Sequence, residues 1–390
     1  MAADREESNQ FVVKNPFRIE RFGGTSSYVW YGMRFGTWAR LLASGGFDIT
    51  LNCLPRILGV TLATPLNSAL HRASQLAHGG RIRETRVQPP VFIIGHWRTG
   101  TTLLHELLDC DPRFAAPTTF QCMFPESFLM TQRLVGPWIK RLLPATRPFD
   151  NMSFGPDRPQ EDEFALLNTG MRTPYRTLAF PRHGPADLDH VDHHDLGAGE
   201  RDAWRKAYGT LLRRFQFSHG DRRLVLKSPF HAARIPSLLA MYPDARFVFT
   251  ARDPYEVFAS HTRTLKVLAS NQGLHNPILD DDDWIHGFVL DVFQQLFDAY
   301  ERDRRLIPAG RLHELRYEDL VADPRARLRD LYRQLDLGDF APAEPGVRAY
   351  LDARKDYRRN VNRIDFSDRD LVTRRWGAYL ERFGYDTRVA

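Results

Sequence analysis

The sequence predicts an α/β protein with a parallel central sheet flanked by helices and preceded by a helical N-terminal arm. Three observations point there. From Pro89 onward, short β-branched runs alternate with longer helix-period stretches, as in a parallel sheet whose strands are joined by crossover helices. The first of these runs, Val91–Ile94, enters the loop Gly95-His96-Trp97-Arg98-Thr99-Gly100, which leads straight into an apolar helical pattern. At 390 residues and 43% hydrophobic, the chain can bury a substantial core, so one elaborated domain or two is expected rather than several.

Residues 1–85 read as a helical extension. Between 33 and 78, helix-period apolar positions are mixed with Gly and Pro breaks, and no uncharged run reaches the ~18 residues of a membrane span. Two readings of this arm stand. It docks on the main domain or on a second subunit, giving a homodimer, or it is an interfacial amphipathic segment that makes peripheral contact with lipid. Residues 86–390 form the main domain, with strands expected at Val91–Ile94, Leu224–Leu226, Arg246–Thr250 and Leu312–Leu315. Between the first two strands, about 143–200 does not follow simple α/β repetition and begins Pro-rich, which suits a substrate wall or lid.

A strand that enters a Gly-x4-Gly loop and opens a helix is a phosphate cradle, because loop N–H groups and the positive helix end converge on one anion. A nucleotide triphosphatase needs Lys and then Ser or Thr directly after the second Gly. Here Thr101 and Thr102 follow Gly100, and the cation, Arg98, lies inside the loop. A phosphorylated ligand other than ATP fits that arrangement. The stretch Leu224 to His261 then reads strand, loop, helix, strand, loop, helix, with Arg252 at a strand exit and Ser260 eight residues on. A cation at a strand end and a hydroxyl two turns into the next helix can close on one phosphate.

Together, "RTGTT" (Arg98 to Thr102) and "RDPYEVFAS" (Arg252 to Ser260) resemble the 5′-phosphosulfate loop and the 3′-phosphate site of sulfotransferases that use 3′-phosphoadenosine 5′-phosphosulfate (PAPS), in particular the bacterial branch of that P-loop-like superfamily. The resemblance runs from about Pro90 to the C-terminus. "RYEDLVADP" is similar to the segment whose Tyr, here Tyr317, borders the adenine. "RRWGAYLERFGY" resembles the basic C-terminal stretch near the 3′-phosphate and implicates Arg374 or Arg375. The implied fold is the P-loop-like sulfotransferase fold. The implied reaction is in-line sulfuryl transfer from PAPS to an acceptor hydroxyl on a carbohydrate, lipid or small molecule, with no metal required.

Catalysis of that reaction means neutralising charge on the leaving phosphate and taking a proton from the acceptor. Arg98, the amides of Thr99, Gly100, Thr101 and Thr102, and Lys227 are the candidates for the first task. Animal cytosolic members carry Lys where this chain has Arg98, and place their catalytic His two residues after the Lys of a Lys-Thr-His stretch. Here Lys227-Ser228 is followed by Pro229, and the nearest imidazole, His231, comes two positions late. The acidic cluster Glu161-Asp162-Glu163 competes with it, so His231, Glu161 and Glu163 are all candidate bases. A P-loop kinase using ATP, and a catalytically silent nucleotide-binding or membrane-peripheral scaffold, are the alternative functions.

Composition narrows the partners. The formal net charge is +6, but acids and bases are mixed and only six of the 54 basic residues are Lys, which argues against a nucleic-acid stripe. Cys53, Cys110 and Cys122 are odd in number and contain no Cys-x-x-Cys pair, and "MAADREESNQ" lacks the basic-then-apolar form of an export signal. A cytoplasmic location is expected. The histidines of "RHGPADLDHVDHHD" (His183, His190, His193, His194) have no recognised metal spacing and read as a solvated loop. Asp280–Asp283 read as acids at a helix start, and Asp253 before Pro254 as a helix cap.

Overall fold

A computed structural model describes residues 28–142, 152, 154–276, 283–355 and 364–386. Five strands form one parallel sheet: β1 (Val91–Ile94), β2 (Phe114–Ala115), β3 (Arg223–Lys227), β4 (Arg246–Ala251) and β5 (Leu312–Arg316), in the order β2-β3-β1-β4-β5. The four strands expected from sequence are present. The two-residue β2 has no alternation long enough to signal it, and exists through its pairing of Phe114 and Ala115 with Arg223 and Leu224.

The sheet separates two apolar cores, which is why its strands read as unbroken hydrophobic runs. In β1, Phe92 and Ile94 join one core, whereas Val91 and Ile93 join the other. Leu224 and Leu226 of β3 and Phe247 and Phe249 of β4 follow Phe92, while Val225 and Val248 follow Val91. β1 lies between β3 and β4, in register from Val91 opposite Val225 and Arg246. The chain thus leaves β1 to one side and returns on the other, opening a crevice at the carboxyl ends of the strands. Gly95–Gly100, Lys227, Arg252 and Tyr317 all lie at those ends.

The helices are numbered in chain order. The arm contributes α1 (Phe35–Ser44) and α2 (Leu54–Glu84). After β1 comes α3 (Thr101–Asp109); α4 (Thr119–Met123), α5 (Phe128–Leu142), α6 (Asp162–Thr169) and α7 (Ala198–His219) lie between β2 and β3. α8 (Ile235–Met241) leads to β4, and α9 (Pro254–Gln272) and α10 (Asp283–Asp303) link β4 to β5. α11 (Tyr317–Ala322), α12 (Pro324–Gln334), α13 (Glu344–Asp352), α14 (Phe366–Arg375) and α15 (Gly377–Phe383) complete the chain. Asp253 caps α9 as expected, accepting from the amides of Tyr255 and Glu256. Of Asp280–Asp283, residues 280–282 lie outside the described residues, and α10 begins at Asp283.

From residue 28, the arm packs on the main domain. Tyr28, Trp30, Met33, Trp38, Ile57 and Val60 belong to the same core as Phe92. Tyr28 Oη donates to Gly273 O (2.7 Å) and Trp30 Nε1 to Gln272 O (2.8 Å), tying the arm to the end of α9. Asp48 adds a polar clasp with Arg182, His183 and His275. Gly45 and Gly46 end α1, but the later Gly and Pro positions do not divide the arm as its composition suggests. α2 runs unbroken through Gly59, Pro65, Gly79 and Gly80, with Ile57, Val60, Thr64, Asn67, Ser74 and Ile82 turned inward. Packing along its inner face outweighs local propensity.

Candidate active site

The loop after β1 is held in a conformation that few sequences tolerate. Gly95 has φ +127°, and a Cβ there would lie 2.6 Å from Thr250 O; Gly100 has φ +90°, and its Cβ would lie 2.3 Å from the Tyr317 ring. Arg98, between them, also adopts a left-handed φ of +70°, a conformation a side-chain-bearing residue holds only when its surroundings impose it. Thr99 is buried and supplies that constraint: its hydroxyl donates to His96 O (2.6 Å) and shares a hydrogen bond with Thr250 Oγ1 (2.8 Å). The loop is thereby pinned to β4. No side chain caps α3, so the amides that open it, including those of Thr101 and Thr102, face the loop mouth as an anion site.

The two sequence motifs meet here. Arg98 Nε donates to Ser260 Oγ (2.8 Å), and Arg252 donates to Arg98 O (2.9 Å). The Arg252 guanidinium stacks over the Tyr317 ring, 4.6 Å from its centroid, and pairs with Glu256 at 3.2 Å. Arg98, Arg252, Ser260, Gly100 and Tyr317 therefore form one polar cluster at the strand ends. The C-terminal stretch reaches it through a residue the sequence did not single out: Tyr379 Oη accepts from Arg252 N (2.9 Å) and donates to Arg252 O (3.1 Å). Arg374 and Arg375, the expected residues of that stretch, are exposed and pair instead with Asp370 and Asp291. In an amphipathic helix end, the aromatic residues Trp376 and Tyr379 take the inward positions and the arginines take the solvent side.

The three consecutive acids each meet a different basic side chain at the exit of β3. Glu161 Oε1 meets Lys227 Nζ at 2.5 Å, Asp162 Oδ2 meets His231 Nε2 at 2.9 Å, and Glu163 accepts from Arg234 twice, at 2.6 and 3.2 Å. Lys227 ends β3, and His231 and Arg234 follow in the short 3-10 turn Pro229–Ala233 and at its end, which sets the three side chains against the start of α6. The acids also suit the positive end of that helix. The described part of the expected wall or lid is thus clamped onto the sheet.

The three pairs differ in access. Arg234 and Glu163 have no solvent contact, and the guanidinium also lies over Trp204 and Phe230. His231 turns into the core, against the edge of Phe92 and beside Tyr208, whose hydroxyl bonds both Asp162 and His231. The Pro229 turn does not carry it back over the loop. Burial pushes the Asp162 carboxyl up, but the charge and hydrogen bond of His231 and the Tyr208 hydroxyl outweigh it and hold the pKa below its ordinary value. Glu161 lies nearer the surface and is wired to the anion loop: Tyr175 Oη donates to its Oε2, and Trp97 Nε1 donates to Tyr175 Oη at 2.7 Å. Burial and the neighbouring Glu161 charge keep Tyr175 protonated well beyond the usual range. Asp162, Tyr175, Tyr208, Arg234 and Trp97 had no spacing signal of their own. Only the position of Asp162 inside the acidic triplet hinted at it.

The loop expected to be solvated is partly core. His190 and His193 are buried, and His193 Nδ1 shares a hydrogen bond with Ser237 Oγ at 2.9 Å. Trp204 packs against His193 at 4.5 Å, which draws the segment inward. Among the described residues, Asp48, His183 and His275, and Asp189, His190 and Glu200, are close enough to share an ion. Neither group includes a residue of the anion loop. In the first, His275 Nε2 accepts from Arg182 N, so its Nδ1 carries the proton toward Asp48, and the Arg182 guanidinium already takes the cation position.

The sequence pattern of the Sulfotransferase family matches residues 89–342. The chain is 36% identical over 379 residues, 96% of either protein, to omega-hydroxy-beta-dihydromenaquinone-9 sulfotransferase Stf3 of Mycobacterium bovis, and equally to Stf3 of Mycobacterium tuberculosis. Its fold is similar to the crystal structure of sulfotransferase STF9 from Mycobacterium avium, with TM-score 0.66 and 19% identity over 91% of this chain and 97% of the other. STF1 from Mycobacterium tuberculosis H37Rv gives 0.63 and 17%, over 89% and 94%. A family pattern over most of the chain and a relative at this identity along almost its whole length establish that the chain belongs to the sulfotransferase family.

Proposed function

We propose that this sulfotransferase takes its sulfuryl group from PAPS and passes it to the hydroxyl of a membrane lipid of the hydroxylated menaquinone type. The observation that carries the acceptor is the 36% identity, over 96% of both chains, to an enzyme named for omega-hydroxy-beta-dihydromenaquinone-9. The donor reading is supported by the cluster at the strand ends. Arg252 and Ser260 would hold the 3′-phosphate, Tyr317 would flank the adenine, and the α3 amides with Arg98 would hold the 5′-phosphosulfate. The fit is chemical: two cations, a hydroxyl and an uncapped helix start suit a ligand with two separate anionic groups. Arg374 and Arg375 have no part in this reading.

In the proposed reaction the acceptor oxygen forms a bond to sulfur as the bond from sulfur to the 5′-phosphate oxygen breaks. The acceptor proton passes to Glu161, and the electron pair of the broken bond stays on the phosphate. Glu161 is favoured over His231 and Glu163 because those two are sealed in the core by Asp162 and Arg234. Lys227, at 2.5 Å from Glu161, orients the carboxylate and supplies positive charge beside the leaving group. Tyr175 holds the other carboxylate oxygen and, through Trp97, fixes the base relative to the loop. No step in this scheme calls for a metal.

Calorimetry tests the donor half. Adenosine 3′,5′-bisphosphate should bind about ten- to a hundredfold more tightly than AMP, the worth of one charge-assisted contact of roughly 1.5–3 kcal/mol. Arg252→Ala should abolish the preference. Equal affinity for the two nucleotides in the parent protein would overturn the donor assignment.

A further inference from the structure

The helix α2 is buried along one side and apolar along the opposite, exposed side. Its inner side, with Ile57, Val60, Thr64, Asn67 and Ser74, is packed on the protein. At about 100° per residue, Leu58, Leu62, Leu66 and Leu76 fall within one stripe roughly 180° from it. These leucines face solvent: Leu62 is 79% exposed and Leu76 is 90% exposed. Leu51, just before the helix, is 87% exposed, and Trp138 on α5, which packs beside α2, is 65% exposed. Single exposed apolar residues are ordinary, but an aligned stripe over five helical turns with an aromatic neighbour marks a contact surface.

Charge says what that surface meets. Residues 28–86 and 128–142 carry ten Arg and Lys against only Asp48 and Glu84, a surplus larger than the +6 of the whole chain. The rest of the molecule is therefore slightly acidic. Asp48 is engaged by Arg182 and His275, and Glu84, although on the same face as Leu66, lies about two turns beyond Leu76 at the end of the helix. α5 contains no acid at all and carries Arg133, Lys140 and Arg141, with the Arg141 guanidinium 5.3 Å from the Trp138 indole centroid. An apolar stripe with an exposed Trp beside it, on a predominantly basic part of the surface, is complementary to an anionic bilayer surface. No described helix is long and apolar enough to cross a membrane, so the contact is lateral.

We infer that α2 and α5 dock the enzyme on anionic lipid, with the Leu58, Leu62, Leu66 and Leu76 stripe in the acyl boundary and the basic residues among the headgroups. This stands apart from the acceptor assignment, since it uses no residue of the anion site.

Flotation of the full chain with vesicles tests it. Vesicles of equal phosphatidylcholine and phosphatidylglycerol should carry the protein, vesicles of phosphatidylcholine alone should carry far less, and about 0.5 M salt should weaken the association. The double substitution Leu62→Ser with Leu66→Ser should lower partitioning at least about tenfold. Its melting temperature, oligomeric size and affinity for adenosine 3′,5′-bisphosphate should match the parent. Failure of the parent to float with anionic vesicles, equal flotation with both vesicle types, or unchanged partitioning of the variant would overturn the proposal. So would a variant that melts lower or changes oligomeric size, because the stripe would then be covered by protein, either a second copy or the chain itself. A parent that binds vesicles but not the bisphosphate would leave docking intact and sink only the donor assignment.

Discussion

Replacing Glu163 by Gln removes half of an ion pair that has no contact with solvent, and it separates scaffold from catalysis in the acidic triplet. Arg234 donates to Glu163 twice and to His190 O, so its charge is held in place when the carboxylate goes. A guanidinium cannot shed its proton to escape burial, and an uncompensated buried charge costs about 3–5 kcal/mol. With an unfolding entropy of roughly 2.1 cal/mol/K per residue, a chain of this length loses about 0.8 kcal/mol per degree near its midpoint. The variant should then melt about 4–6 °C lower, followed by circular dichroism, while its folded fraction keeps turnover within a few-fold of the parent. Glu161→Gln should behave in the opposite way. An ammonium, unlike a guanidinium, can shed its proton when its partner is removed, so melting shifts less, whereas kcat falls about 10²–10⁴-fold with bisphosphate binding nearly unchanged. If Glu163→Gln melts like the parent and turns over a hundredfold more slowly, the roles are reversed and the reasoning from burial is wrong.

Other consequences are as direct. Gly100→Ala places a methyl on the Tyr317 ring at a left-handed φ, so bisphosphate affinity should drop at least about tenfold by calorimetry, with strain of about 1–3 kcal/mol read by denaturant unfolding. His96 and His105 are buried neutral, burial lowering each to about 3. The unfolded chain therefore takes up protons at these residues first, and stability should decline as pH falls through the ordinary His value near 6.5 and onward toward 3. Each should remove about 1.4 kcal/mol between pH 7.5 and 5.5, and a flat unfolding free energy over that interval would contradict their neutral burial. Asp162, held low, should protect the fold until pH drops below the ordinary carboxylate range.

Much of the anion-site cluster was legible because its parts are local. Arg98, Gly100 and Thr101 lie within one strand-loop-helix unit, and Arg252 and Ser260 within another, so spacing alone brought them to neighbouring strand ends. The pairing of the acidic triplet was not, because its partners come from separate segments. Nothing in the chain around Tyr175 or Arg234 announces a carboxylate of α6, and the match of Lys227, His231 and Arg234 to three successive acids exists only once α6 lies on the exit of β3. The same holds at the C-terminus, where basic composition drew attention to Arg374 and Arg375 although the buried neighbour Tyr379 makes the contact with Arg252. In α2, Pro65 and the glycines suggested breaks that packing overrides.

The most direct measurement is transfer of label from sulfur-labelled PAPS to an ω-hydroxylated menaquinone in detergent, with the parent and Glu161→Gln side by side and a chelator present. Labelled sulfate ester should appear on the lipid, with turnover reduced at least about a hundredfold in the variant and no dependence on added metal. Bisphosphate binding without label transfer to this lipid, or transfer by Glu161→Gln within a few-fold of the parent, would contradict the proposed reaction.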